Sequence, residues 1–274
     1  MVTDLTQSVA PTSSLASRPP AASVIAQCLA EQAKLSGRKR VADLLGLSPL
    51  ADEAVPWFTG ALGELTVGRE LARLDAAQGW TVLHSVPVGN RDSDIDHVVI
   101  GPAGVFTINT KHHSGQRIST GRSQIFVSGQ AKPYIRNSVF EAERASKRLT
   151  EAVGFPVTAH PVLAFVDPKE LAGKRDLDGV TIVDAAGLVR WLTKQPALWG
   201  ADASAAVARA AAVASTWRAE APAAALDRAN GADFEELRRK VGVMRRIRGL
   251  WALGGILAVF SAGWSVLEVL GHWG

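Results

Sequence analysis

Residues 92–113 read DSDIDHVVIGPAGVFTINTKHH. Two β-rich runs, IDHVVI at 95–100 and VFTINTK at 105–111, flank a Gly-Pro-Ala-Gly turn with Pro102 at its favoured second position. The turn is short enough to lay the runs side by side as strands. Side chains on a strand alternate between faces, so Asn109 and Lys111 point one way while Ile108, Thr110 and His112 point the other. Asp96 shares its face with Val98 and Ile100, and pairing through the turn brings it near the Asn109 and Lys111 end of its neighbour.

A carboxylate and an ammonium on adjacent strands suit metal-assisted phosphodiester hydrolysis. Mg²⁺ is commonly held by one or two carboxylates plus water, which fits Asp96. A lysine beside it orients the attacking water or offsets charge in the transition state, which fits Lys111. Asn109 stands where a second acid would be expected. His97 and His112 fall on the face opposite Asp96 and Lys111, where packing suits them better than ligation; His113 returns to the site face. Read from the residues alone, the plainer reading makes Asp96 a turn-region acceptor and Lys111 a solvated strand end.

Working outward, the helical spacing of ALGELTVGRELARLDAAQ predicts a helix from Gly60 to a stop at Gly79, with Leu62, Leu65, Leu71 and Leu74 available for a buried stripe. A first strand follows at 80–88, and short strands at 117–120 and 124–127 come after the central pair. Residues 138–153 read as a helix with Asn137 as N-cap, 157–167 and 180–184 as strands, and 186–195 as a helix. The order helix, three strands, helix, strand predicts an α/β layer fold with a mixed sheet.

Around this core, residues 1–22 have the Ser, Thr, Pro and Ala content of a disordered tail without a secretory signal. Residues 23–56 read as a helical extension and linker, and Trp57 and Phe58 dock as the domain at 57–195 begins. Residues 196–248 form an Ala-rich helical segment and a basic tether. Residues 249–267, GLWALGGILAVFSAGWSVL, are an uncharged run of 19 residues, roughly 28 Å as a helix against a hydrocarbon thickness of about 30 Å. Six basic residues from Arg238 to Arg248 crowd its N-terminal side, and Trp251 and Trp273 bracket it. The expectation is a single-pass anchor at 249–270 in the cell membrane with everything before it in the cytoplasm.

One cysteine, Cys28, excludes an intramolecular disulfide and a Cys-based zinc site. No Walker-type loop and no Ser-His-Asp or Cys-His arrangement stands out. The net charge of +4 is mildly compatible with an anionic partner. Arg117, Arg136 and Lys147 follow the site closely, with His113 beside it, as candidate phosphate contacts; Glu141, Glu143 and Glu151 make the same helix readable as a solvated face.

GALGEL at 60–65, GWTVLHSVPV, IDHVVIGPAGVFTINTK and Asn137 together resemble the nuclease-related domain family, a branch of the PD-(D/E)xK fold, over roughly residues 57–185. The resemblance implies a restriction-endonuclease-like core, Mg²⁺ dependence and a nucleic-acid substrate, DNA ahead of RNA. It makes Glu64, Asp96, Asn109 and Lys111 the active-site positions, with Asp96, Glu64 and Asn109 toward the metal. The family commonly has Glu two residues before the Lys. An amide at 109 carries no formal charge, which weakens Mg²⁺ binding and leaves room for Mn²⁺. Glu64 completes the metal shell on one reading; Glu141 or Glu143 reaches in from the next helix on another. The alternative class is a binding module for nucleic acid or a partner at the membrane, with catalysis lost at Asn109.

Overall fold

The computed structural model describes residues 14–34, 47–88, 94–217 and 224–271, with side chains in the last stretch from 230 to 253. The chain begins with α1 (Ala22–Ala33) and α2 (Val55–Leu71), followed by the antiparallel strands β1 (Thr81–Pro87), β2 (Asp94–Gly101) and β3 (Gly104–His112). Three short strands come next, β4 (Arg117–Thr120), β5 (Ile125–Val127) and β6 (Gln130–Lys132), then α3 (Tyr134–Val153) and β7 (Ala159–Val166). Beyond these lie β8 (Glu170–Ala172), β9 (Asp176–Leu177) and β10 (Val180–Asp184), and then α4 (Leu188–Leu192), α5 (Ala201–Ala212), α6 (Ala214–Trp217) and α7 (Ala224–Gly271).

Six strands form a mixed sheet in the order β1-β2-β3-β7-β10-β9. β1, β2 and β3 pair antiparallel, while β7 joins β3 and β10 in parallel. The expected α/β core with a mixed sheet is present. Val99, Phe106 and Ile108 on one face pack with Val67 and Leu71 of α2 and Leu188 and Leu192 of α4. Val98, Ile100 and Val105 on the other face pack with Ala142, Ala145 and Leu149 of α3 and with Val207 and Trp217. Burial on both faces explains why the central strands read as nearly continuous apolar runs. Helices on opposite faces of the sheet also decide which helix can reach which side of β3.

The turn sits where its residues place it. Gly101 pairs with Gly104, and a Cβ at Gly101 would lie 2.3 Å from the Trp80 ring, so only glycine fits beside that indole. β4, β5, β6 and β8 make a second, four-stranded sheet whose Ile118, Ile125 and Val127 pack against Leu163 and Phe165 of β7. Strands this short carry almost no period of their own, which is why only two of the four were expected.

Several boundaries differ from the expectation. α2 begins at Val55, not Gly60, because Pro56 fits the first helical turn, where no N–H partner is needed. Phe58 is buried as expected, whereas Trp57 is 41% exposed. α3 begins at Tyr134 with Pro133 at its N-cap, so Asn137 lies within the helix and does not cap it. The packed chain starts by residue 14, inside the stretch read as a tail: Leu15 and Ala21 are buried, and Arg18 donates to Ser85 O and to Asp94 Oδ2. Residues of the segment read as Ala-rich helix and tether also enter the core. Trp217 is fully buried with its Nε1 donating to Ala211 O, and Phe234, Leu237 and Val241 of α7 pack on α1 and α2. The expected membrane-spanning run, residues 249–270, falls on the end of α7. No helix is long and apolar enough to cross a membrane among the described residues, and side chains from residue 254 onward lie outside them.

Candidate active site

The antiparallel ladder between β2 and β3 runs from Gly101 opposite Gly104 to His97 opposite Ile108, and there it ends. One step further, the carboxylate of Asp96 takes the bond a strand carbonyl would have accepted: Thr110 N donates to Asp96 Oδ2 at 2.6 Å. The carboxyl group is thus wedged where the strands part. Burial pushes it above the usual carboxylate range, and Asp94 adds to this; Lys111 and the Thr110 N–H pull the other way.

Asn109 and Lys111 follow on the same face of β3. The Lys111 ammonium lies 5.1 Å from the centre of the Tyr134 ring at the start of α3. Asn109 is 5% exposed, and its Nδ2 donates to Glu141 Oε1 at 2.7 Å. Glu141 belongs to the stripe of α3 that faces the sheet, beside buried Ser138, Ala142 and Ala145. Burial, reinforced by the charge on Asp96, moves its carboxyl from the ordinary 4.5 to about 7, against the pull of the Asn109 hydrogen bond and Lys111. Of the two acids named on this helix, Glu141 reaches in; Glu143 is exposed and lines a surface groove with Arg136 and Phe140.

Glu64 arrives from the opposite layer. α2 rides directly on β3, for a Cβ at Gly63 would lie 2.9 Å from His112 Cβ and 3.2 Å from Thr110 Cγ2. Close approach seats the next residue, Glu64, in the interior at 6% exposure. Burial raises its carboxyl well above the usual range and Asp96 raises it further, while Lys111 opposes both. Glu64, Asp96 and Glu141 therefore share one electrostatic environment, and Lys111 is the cation common to all three.

The histidines divide by face as alternation requires. His112 Nδ1 bonds Thr59 O on the α2 side. His97 meets His84 of β1, Nδ1 to Nδ1 at 2.8 Å, and burial pulls both rings below the usual range, His84 to about 4. His113 returns to the site side, where Nε2 bonds the Tyr134 hydroxyl at 2.9 Å and the ring stacks on Tyr134. Arg117 pairs with Glu170 at 2.7 Å, which offsets its charge locally, and Arg136 and Lys147 stand exposed on α3.

Tyr134, Arg18 and Asp94 were not legible as neighbours of the site. Tyr134 lies outside both strand runs, and the contact of Arg18 with Asp94 spans 76 residues of sequence. For the chemistry, oxygen donors dominate. No group of three His, Cys, Asp or Glu side chains that could hold a metal ion occurs among the described residues. Two further oxygens, Asn109 Oδ1 and Glu141 Oε2, are buried with no hydrogen-bond partner there. Hard, unpaired oxygens of this kind suit Mg²⁺ or Mn²⁺.

Residues 59–166 match the family model described as nuclease-related domain. The matched stretch contains Glu64, Asp96, Asn109, Lys111 and Glu141. A 78-residue stretch is 38% identical to an uncharacterized protein of Bacillus anthracis, over 27% of this chain and 36% of that protein. The chain thus spans about a third of the length of the curated relative it matches. No solved structure matches.

Proposed function

We propose, from the match of residues 59–166 to the nuclease-related domain model, that the protein hydrolyses phosphodiester bonds of nucleic acid, DNA ahead of RNA, with Mg²⁺. The observation that carries the reading is the parting of β2 and β3 at Asp96, with Lys111 and buried Glu64 in the same electrostatic environment. Asp96, Glu64 and the Asn109 amide would hold the ion. An ion held there would supply a Lewis acid for the phosphate and a lowered pKa for an attacking water. Asp96 is oriented by the Thr110 N–H, so one carboxylate oxygen is fixed before substrate arrives. Lys111 offsets charge that builds on the phosphoryl oxygens, and its place beside Tyr134 limits where the ammonium can swing. His113, Arg117, Arg136 and Lys147 are the phosphate contacts we assign, as positioning groups without sequence information.

Asn109 favours a second reading, a module that binds nucleic acid or a partner and no longer cuts. The two separate when the full chain is incubated with plasmid and with single-stranded DNA in Mg²⁺ or Mn²⁺, beside Asp96→Ala and Lys111→Ala. Cutting that both variants abolish supports the nuclease; cutting that survives in both sinks the site assignment. Retention of DNA without cutting supports the binding module. We propose further that residues 249–270 anchor the chain in the cell membrane with the nuclease-related domain on the cytoplasmic side. The uncharged run and the basic cluster before it support this. Release of the full chain from membranes by alkaline carbonate would overturn it.

A further inference from the structure

We infer that Glu141, on α3, supplies the second acid that β3 lacks at Asn109, so that the metal-binding carboxylate has moved from strand to helix in this chain. The inference rests on the nuclease reading above and concerns the same site. Three observations carry it. Asn109 Nδ2 donates to Glu141 Oε1 at 2.7 Å, so the Glu141 carboxylate stands beside the position from which residue 109 would have offered its own. Asn109 Oδ1 and Glu141 Oε2 are both buried and have no hydrogen-bond partner among the described residues. A buried oxygen left without a partner is costly, and the packing of the protein around these two does not explain them.

The third observation is the company Glu141 keeps. It stands on the sheet-facing stripe of α3, among Ser138, Ala142, Ala145 and Leu149, where a carboxyl is costly unless something compensates it. A Gln there would accept the same hydrogen bond without the charge. The amide at 109 also follows from the acid at 141: a carboxylate in its place would face another at hydrogen-bond distance and repel it, whereas Asn donates to it. Asn109 and Glu141 therefore form one coupled arrangement, with the negative charge on the helix and the orienting donor on the strand. Glu141 joins Asp96 and Glu64 as a carboxylate toward the ion, and Asn109 holds Glu141 in place.

The test is a swap read by metal binding, with Mn²⁺ as the probe. Mn²⁺ binding to the full chain is followed by electron paramagnetic resonance and calorimetry for wild type, Asp96→Ala, Glu141→Gln, Asn109→Glu and Glu141→Gln/Asn109→Glu. Glu141→Gln keeps an acceptor for Asn109, and a thermal melt of each variant guards against misfolding. We expect wild type to bind, Glu141→Gln to bind at least roughly tenfold more weakly, and the double variant, with its acid returned to the strand, to recover most of the loss. Plasmid cleavage should rise and fall with binding. If Glu141→Gln binds Mn²⁺ as wild type does while Asp96→Ala does not, this inference fails and the nuclease reading stands. If wild type and all variants bind none, both fall. A double variant no better than Glu141→Gln, with an intact fold, also overturns the swap.

Discussion

Gly63 sets how near α2 can come to β3, and with it the depth at which Glu64 sits. A methyl at that position would meet the Cβ of His112 and the Cγ2 of Thr110, atoms close to the strand backbone that cannot swing away. Gly63→Ala should therefore push the helix outward, at a cost of about 1 to 3 kcal/mol in chemical denaturation. Where the fold survives, plasmid cleavage should fall more than stability does, because Glu64 moves with the helix; undiminished cleavage would remove Glu64 from the site. At this scale the sequence is uneven to read. Strand alternation alone puts Asp96 and Lys111 on one face and His97 and His112 on the other. Glu64 was reached only through family resemblance, since helical spacing gives no reason to prefer it over other helix acids. Glu141 and Glu143 are two residues apart on one helix, and only the packing of α3 against β3 decides which is inside.

Docking of the terminal helices is what the sequence left least legible among the elements. The first half of α7 reads as a charged tether, yet Phe234, Leu237 and Val241 recur at i, i+3 and i+7 and bury one stripe against α1 and α2. Phe234 is fully buried, its ring centroid 5.3 Å from that of Phe58. The apolar partners lie in α1 and α2, so a stripe only three residues long carried too little signal until the third helix was in place. Phe234→Ala should cost about 3 to 5 kcal/mol, seen as a lower urea midpoint. It should also speed amide exchange in α1 and the start of α2 while the β3–β7 core stays protected. Equal loss of protection everywhere would show one cooperative unit and no separable docking. The small second sheet was partly missed for a related reason: β8 is three residues long and finds its partner β4 more than fifty residues earlier, a pairing no local pattern encodes.

Across the whole molecule, buried titrating groups of opposite kinds set the pH response. The His84 and His97 rings share one Nδ1–H between two Nδ1 atoms, and a proton added to the pair removes the acceptor. Burial lowers His84 from 6.5 to about 4, so the stability this ring contributes is present above about pH 6.5 and is lost as pH falls toward 4. Glu141 runs the other way. Its folded-state value is raised from 4.5 to about 7, so the chain loses stability as pH climbs from 4.5 through 7. The two slopes oppose each other between about pH 4.5 and 6.5. Glu141→Gln uncovers the histidine slope. The variant should match wild type near pH 4.5 and exceed it at pH 8 by up to roughly 3 kcal/mol, at 1.36 kcal/mol per pKa unit. Urea unfolding at pH 4.5, 6 and 8 measures this without added metal. A variant no more stable than wild type at pH 8 would mean that the Glu141 carboxylate is already compensated there, so the burial penalty that supports its place in the site would be gone.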